Sequence, residues 1–129
     1  MATAPQDLSS AARDFLTVRH LATLTTLRDD GSPHAVPVGF TWDADELVAR
    51  VITSGTSRKA RHAAAGRRAV LCQLEGRHWL SLEGVARLRT EAAAVADAVA
   101  RYADRYRLPR PNPQRVVIEI SVDRVLGNL

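Results

Sequence analysis

Residues 47–60 read LVARVITSGTSRKA, and within this stretch the sequence changes from strand-like to helix-like. Side chains alternate along a strand with period two, so Val48, Arg50 and Ile52 would point to one face and the other residues of 47–53 to the opposite face. Ser57 is then placed to cap a helix, so Arg58 and Lys59 fall in the first turn, where backbone N–H groups are unpaired. Hydroxyls, free N–H groups and two cations favour a phosphate. The stretch predicts a strand that ends in an anion site; the alternative is a solvated basic helix.

The composition is that of an ordinary globular protein. A chain of 129 residues with 46% hydrophobic and 25% charged residues can bury its own core, so we expect one domain spanning residues 1–129. The formal charge is +4 and the pI is about 10.2, which suits small anionic ligands. The basic residues are scattered, and two Phe, two Tyr and two Trp leave little for stacking on bases. We therefore expect no nucleic-acid partner.

Cysteine content and hydropathy indicate the cellular setting. Cys72 is the only cysteine, which excludes an internal disulfide and fits a reducing compartment. Residues 1–16 contain acidic side chains, and no segment approaches the about 18 consecutive apolar residues of a membrane span. We expect a cytoplasmic protein that does not contact a membrane.

Alternating and helical periods divide the chain into strands with inserted helices. The expected strands are 20–27, 32–42, 47–53, 68–74, 78–88 and 115–126. The expected helices run from Ser9 or Ser10 to Val18, over 57–65, and over 91–105 with Thr90 as N-cap. Residues 1–7 have the composition of a frayed terminus. Six antiparallel strands at short spacing predict a mainly β protein, a small closed barrel with inserted helices.

Two positions in the predicted strands favour a ligand nearby. Pro37 lies inside the second strand and cannot donate a ladder hydrogen bond, so we expect an edge, a bulge or a non-strand neighbour there. Trp79 shares a strand face with Ser81 and Glu83, as either a rim residue or a platform for a ligand. Local sequence leaves both interpretations of Trp79 open.

Motifs for metal binding and for hydrolysis are missing from the sequence. The chain has four histidines without metal-site spacing, His20, His34, His62 and His78. There is no Gly-x-Ser-x-Gly elbow, Walker loop or dinucleotide fingerprint. We therefore expect no bound metal, and a phosphate site here must use a different scaffold.

Four blocks of sequence, in this order, resemble the pyridoxamine 5′-phosphate oxidase-like superfamily of flavin and deazaflavin enzymes. The blocks are FLTVRHLATLTTLRDDGSPHAVPVGF at 15–40, ARVITSGTSRKA at 49–60, RHWLSLEG at 77–84 and RYRLPRPNPQRVVIEISVDRVLG at 105–127. Within that superfamily the chain looks most like the branch that uses the deazaflavin coenzyme F420. The resemblance implies a six-stranded antiparallel split β-barrel, the FMN-binding split barrel.

The resemblance also implies which residues bind the cofactor. The backbone of Val36, Pro37, Val38 and Gly39 would line the ring, and Ile52 and Thr53 would flank the ring and the phosphate chain. The phosphate would be held by Ser57, Arg58 and Lys59. A further contact would come from Trp79 and Ser81 on another strand. Flavin oxidases carry a further phosphate-binding arginine on the second strand. The matching place here is near His34 and Ala35, which disfavours vitamin B6 oxidase activity.

The implied function is hydride transfer from reduced F420 to a conjugated acceptor, biliverdin or a similar tetrapyrrole, without a catalytic side chain. The resemblance further implies a homodimer with the site at the subunit interface, where Arg110 and Asn112 reach the partner's cofactor. Two alternatives stay open. One is an FMN-dependent oxidase or reductase on the same barrel, and the other is a non-catalytic protein that binds a deazaflavin or a tetrapyrrole.

Overall fold

The computed structural model describes residues 2–129, which form a seven-stranded antiparallel sheet and three α-helices. The strands are β1 (Ala22–Leu27), β2 (Pro33–Val38), β3 (Thr41–Asp43), β4 (Val48–Ser54), β5 (Arg68–Glu75), β6 (His78–Arg89) and β7 (Arg115–Gly127). The helices are α1 (Ser10–Phe15), α2 (Arg58–Ala64) and α3 (Ala92–Arg105), and a 3-10 turn spans Pro5–Asp7. Across the sheet the strands follow the order β2-β1-β5-β6-β7-β4-β3.

The sheet curls into a barrel because its two edge strands are consecutive in the chain. β2 and β3 lie at opposite ends of the ladder, yet only Gly39 and Phe40 separate Val38 from Thr41. Three peptide units span at most about 11 Å, so the two edges must meet. The hydrogen-bonded ladder does not continue from β2 to β3 within residues 2–129. The architecture is therefore a split barrel, as the family resemblance implies, and not the fully closed barrel that the strand pattern alone predicts.

The strand count is seven rather than six, because the predicted strand at 32–42 is two strands. The two strands are separated at Phe40. Its side chain is 1% exposed, and its backbone is hydrogen-bonded to the C-terminal end of α3. The Phe40 N–H donates to the Tyr106 hydroxyl (3.2 Å) and the Phe40 carbonyl accepts from Arg105 (2.6 Å). These helix contacts take the place of ladder hydrogen bonds, and they come from residues 65 or more positions away in sequence.

Inward-facing side chains of the long strands fill the barrel. The largest fully buried apolar residues are Phe40, Leu16, Leu24, Leu71, Leu80, Leu82, Ile118 and Ile120. Each such side chain contributes about 1.5–3 kcal/mol on burial. Packing of the core therefore fixes the positions of the strand ends, and the candidate site described below lies at these ends.

Helix ends follow the predicted capping residues with two exceptions. Ser9 caps α1 as expected, and its Oγ accepts a hydrogen bond from the Ala12 N–H (3.1 Å). That helix ends at Phe15 rather than at Val18. The N-cap of α3 is Glu91 rather than Thr90, and no side chain caps this helix.

The segment that precedes α1 is ordered against the sheet and is not frayed as predicted. Thr3 exchanges two backbone hydrogen bonds with Val125, of 2.7 and 2.9 Å, and Pro5 is buried. Met1 belongs to the predicted terminus and lies outside the described residues.

Candidate functional site

A cavity of about 280 Å³ opens where the ends of β2, β4 and α3 meet the first turn of α2 and the proline-rich loop before β7. We call it the Lys59 cavity. It is lined by Pro37, Val38, Gly39, Ile52, Thr53, Ser54, Lys59, Tyr102, Pro109, Asn112 and Arg115. Most of these residues are ones that the sequence predicts for cofactor binding, although they come from segments far apart in the chain.

One wall of the Lys59 cavity is the backbone of an edge strand. β2 pairs with β1 alone, so its outer backbone groups have no strand partner, and the position of Pro37 confirms the predicted edge. Gly39 follows the strand, and an added Cβ there would lie 3.0 Å from the Tyr102 ring. Because glycine has no side chain, α3 packs closely against this corner, and the wall stays flat and uncharged.

Hydroxyl groups line the opposite wall. The Thr53 hydroxyl donates to Ser57 Oγ (3.1 Å), and Ser57 Oγ accepts from the Ala60 N–H (3.2 Å), which confirms Ser57 as the N-cap of α2. The cap therefore uses one of the unpaired N–H groups of the first turn. An anion in this cavity must rely mainly on the hydroxyls and on side-chain cations.

Two cations complete the Lys59 cavity. The side chains of Lys59 and Arg115 are both half-buried, and Arg115 Nη2 donates to the carbonyl of Arg110 (2.6 Å), which ties the proline-rich loop to β7. Within residues 2–129, no acidic residue lines this cavity. Partial burial weakens the screening of these charges by water, so the cavity favours an anionic group.

Arg58 lies in a different cavity, although it is adjacent to Lys59 in sequence. A helix turns about 100° per residue, so neighbouring side chains point in different directions. The cavity beside Arg58 is about 520 Å³ in volume and is lined by Arg28, Asp29, Arg58, Arg61 and His62. We call it the Arg58 cavity. The structure therefore separates the basic pair that the sequence predicts to act together.

His62 lines the Arg58 cavity, and His34 packs against its ring. The His62 Nδ1 and Thr26 Oγ1 atoms share a hydrogen bond (2.8 Å), and the two imidazole rings meet edge to face with centroids 5.1 Å apart. Burial, and then repulsion by His34 and Arg28, lowers the pKa of His62 from its usual 6.5. His34 thus packs on α2 and does not line the Lys59 cavity.

Arg105 fixes the α3 end of the site. Its guanidinium donates to the carbonyls of Val18 (3.0 Å) and Phe40 (2.6 Å) and to Gln73 Oε1 (2.8 Å), and it lies 4.6 Å from the centroid of the Phe40 ring. Burial lowers the pKa of Arg105. Because three neutral acceptors hold this cation, α3 stays against the split of the barrel, and Tyr102 one turn earlier forms the cavity wall.

Some predicted site residues lie elsewhere in this chain. Trp79 and Ser81 are in the first half of β6, where Trp79 pairs with Leu74 and its backbone N–H donates to Asn128 Oδ1 (3.0 Å). Val36 packs against the hydrophobic core, and the side chain of Arg110 is exposed on the loop. Within one chain, these residues do not line the Lys59 cavity.

Sequence reasoning missed four lining residues, Ser54, Tyr102, Pro109 and Arg115. Two features of the sequence indicate two of these residues, Tyr102 and Arg115. Tyr102 and Tyr106 are spaced for one helix face, and their rings pack with centroids 4.8 Å apart. Arg115 begins the last strand and pairs with Ser54 at the end of β4. Recognising that pairing would have placed a second cation beside Lys59.

Residues 2–129 contain neither a metal-binding cluster nor a membrane-spanning helix. No three His, Cys, Asp and Glu side chains in this part of the chain are grouped to hold a metal ion. No helix there is both long and apolar enough to cross a bilayer. Cys72 is a free thiol.

The sequence pattern of the pyridoxamine 5′-phosphate oxidase family matches residues 8–128, and the chain belongs to this family. It is 58% identical, over 121 residues, to an F420H2-dependent biliverdin reductase of Mycobacterium tuberculosis (strain CDC 1551 / Oshkosh). The alignment covers 94% of this chain and 88% of that protein.

Solved structures share the fold at lower identity. A conserved hypothetical protein of Mycobacterium tuberculosis superimposes with a TM-score of 0.78 at 23% identity, over 93% of this chain and 84% of that one. An F420 reductase superimposes with a TM-score of 0.72 at 21% identity, over 94% of this chain and 98% of that one. At these identities the superpositions establish the split-barrel fold.

Proposed function

We propose that this protein is an F420-dependent reductase that transfers a hydride from reduced coenzyme F420 to a conjugated tetrapyrrole, with biliverdin as the first acceptor to test. The observation that carries the proposal is the Lys59 cavity, where a neutral strand edge meets an end rich in hydroxyls and cations. The 58% identity to an F420H2-dependent biliverdin reductase supports the same activity.

The lining of the Lys59 cavity fits the two chemically different parts of the coenzyme. A flat, uncharged ring requires a smooth neutral wall, which the strand end at Pro37, Val38 and Gly39 provides. A phosphate requires hydroxyl donors and cations, which the opposite end provides through Thr53, Ser54, Lys59 and Arg115. When bound, F420 supplies the hydride, and the residues of this chain hold and orient it.

We propose that the side chains of the Lys59 cavity, including Lys59 and Tyr102, position the reactants, and that the proton comes from solvent. No Asp, Glu, His or Cys lines this cavity within residues 2–129. In the proposed reaction, a hydride forms one new C–H bond on the acceptor, and a proton from solvent forms one new N–H bond. Two electrons leave the reduced coenzyme, so the electrons and atoms balance without another reductant. We therefore assign no catalytic side chain.

We also propose a homodimer with its sites at the interface. The outer face of the sheet has a row of uncharged residues that stand opposite one another on four adjacent strands, Pro37, Thr23, Cys72 and Ser81. The next pair, Leu74 and Trp79, extends this face, and Leu74 is 60% exposed. Pro37 also lines the Lys59 cavity. A second copy on this face would therefore bring its own Trp79 and Ser81 toward that cavity.

Subunit mixing tests the shared site. In the proposed dimer, Lys59 and Trp79 contribute to one site from different subunits, so Lys59→Ala and Trp79→Ala each damage both sites of a homodimer. A mixed dimer of the two variants keeps one undamaged site. At an F420 concentration well below the Kd of either variant, we expect mixing to raise the activity above that of each variant alone. A monomer in light scattering, or no restoration after verified subunit exchange, would contradict the shared site.

Titration with F420 and with FMN tests the cofactor, and addition of biliverdin to the reduced protein–cofactor mixture tests the reaction. We expect micromolar or tighter binding of F420 and reoxidation of its reduced form when biliverdin is added. Preferential binding of FMN would support the flavin alternative, which the family also allows. Tight F420 binding without turnover of any tetrapyrrole would support a non-catalytic binding protein.

A further inference from the structure

A second cavity shares a wall with the Lys59 cavity. It has a volume of about 500 Å³ and is lined by Arg19, His20, Leu21, Tyr102, Tyr106 and Arg107. Tyr102 lines both cavities. An acceptor of a hydride must lie against the donor ring, because a hydride moves only between atoms in near contact. The second cavity adjoins the Lys59 cavity at Tyr102, whereas the Arg58 cavity shares no lining residue with the Lys59 cavity.

The walls of this second cavity suit a flat conjugated molecule. The rings of Tyr102 and Tyr106 pack with centroids 4.8 Å apart and an interplanar angle of 32°, and Leu21 is 57% exposed beside them. Aromatic rings and an exposed leucine supply apolar contact area for another π system. The Tyr106 hydroxyl already donates to the His20 carbonyl (2.7 Å), which fixes that ring.

Two cations border the same cavity. Arg19 and Arg107 are exposed, and no acidic residue lines the cavity within residues 2–129. Arg105 is close in sequence, but its guanidinium is already bound to Val18, Phe40 and Gln73. Arg19 and Arg107 thus remain available for a ligand, and a guanidinium binds a carboxylate through two parallel hydrogen bonds.

We propose that this second cavity is the acceptor site, and that Arg19 and Arg107 bind the two carboxylates of a tetrapyrrole whose conjugated system lies against Tyr102 and Tyr106. This inference rests on the proposed function. It adds the position of the acceptor and the residues that select a flat dicarboxylate. Arg19 and Arg107 act as binding residues and take no part in the hydride transfer.

The test compares biliverdin with its dimethyl ester, in which both carboxylates are neutral. For Arg19→Ala and Arg107→Ala we expect the KM for biliverdin to rise about tenfold, as for loss of one charge-assisted hydrogen bond. The Kd for F420 and the KM for its reduced form should stay unchanged, because neither arginine lines the Lys59 cavity. Toward the dimethyl ester, both variants should match the wild type. Arg124→Ala removes an equal charge from an exposed position on β7 and is the matched control.

Two outcomes would overturn the acceptor site. One is an unchanged KM for biliverdin in the Arg19 and Arg107 double variant, and the other is an equal loss with biliverdin and with its ester. If the wild type shows no turnover, the proposed function fails, and the site is tested separately by direct binding. In that case biliverdin is titrated alone, and its induced circular dichroism is recorded. Weaker binding by the arginine variants than by Arg124→Ala would support the site, and equal binding would overturn it.

Discussion

The Lys59 cavity and the Arg58 cavity lie beside the same seven-residue helix, yet they differ in chemistry. The Lys59 cavity combines a neutral strand edge, two hydroxyl residues of β4 and two cations. The Arg58 cavity has three arginines, one aspartate and a histidine, and no strand edge forms a wall. Both are positively charged. Only the Lys59 cavity has the combination of surfaces that a ring attached to a phosphate requires.

This difference shows how little a basic dipeptide says about a binding site. Arg58 and Lys59 are neighbours in the chain, but the turn of α2 directs them into separate cavities. The second cation beside Lys59 is Arg115, 56 positions away, which reaches the cavity through the pairing of Ser54 with Arg115. The pair of cations that line this cavity is therefore defined by the sheet register and not by the helix alone.

The largest expected effect comes from Lys59→Ala. The half-buried ammonium group is the cation that α2 contributes to the Lys59 cavity, so its loss should weaken F420 binding by about 1–3 kcal/mol, as for a charge-assisted hydrogen bond. A fluorescence titration with F420 measures the change. If the affinity is unchanged, the phosphate has been assigned to the wrong cavity.

Ser57→Ala should have a smaller effect, on stability first. It removes the Ser57 Oγ that accepts from the Ala60 N–H (3.2 Å), and loss of an N-cap costs about 1 kcal/mol of unfolding free energy. Ser9→Ala is the matched control, because it removes the equivalent bond to Ala12 in α1 (3.1 Å). We expect both variants to be destabilised in urea, and only Ser57→Ala to bind F420 more weakly. Equal F420 affinity in the two variants would mean that the cap does not orient the site.

Arg58→Ala should change F420 binding by less than about 0.5 kcal/mol, because Arg58 does not line the Lys59 cavity and salt screens an exposed charge that has no direct contact with the ligand. The variant removes the same charge as Lys59→Ala from the adjacent position, so the pair isolates the effect of location. Isothermal titration at low and high salt measures both. A loss as large as that of Lys59→Ala would show that the two cavities act together.

His62→Gln should have the smallest effect, confined to the pH dependence of stability. Burial, followed by repulsion from His34 and Arg28, lowers the pKa of His62 below 6.5, so the unfolded chain takes up a proton more readily than the folded protein. The contribution of neutral His62 to the free energy of unfolding is complete above pH 6.5, and it is lost as the pH falls through the pKa of His62 in the folded protein. Urea unfolding between about pH 5 and 7.5 should therefore show that the free energy of unfolding falls less steeply with decreasing pH in the variant than in the wild type. Parallel curves would mean that His62 is not desolvated.

Several features of the fold and the site could be predicted from local sequence. Alternation identified the strands, Ser57 was recognised as an N-cap, and an edge strand was one of the three interpretations that Pro37 allowed. Each of these rests on the stereochemistry of one residue or a short run: a period of two, a side-chain acceptor, a missing N–H. The family follows from motifs in the same segments.

Only the tertiary structure decided how these segments meet. The hydrogen bonds of Phe40 to Tyr106 and Arg105 divide one predicted strand into two and place Tyr102 in the cavity wall. The pairing of Ser54 with Arg115 brings the second cation to Lys59. These contacts join residues more than fifty positions apart, and their energies depend on burial and register, which no local window of sequence contains. Local stereochemistry therefore determined the elements, and long-range packing determined which side chains share a site.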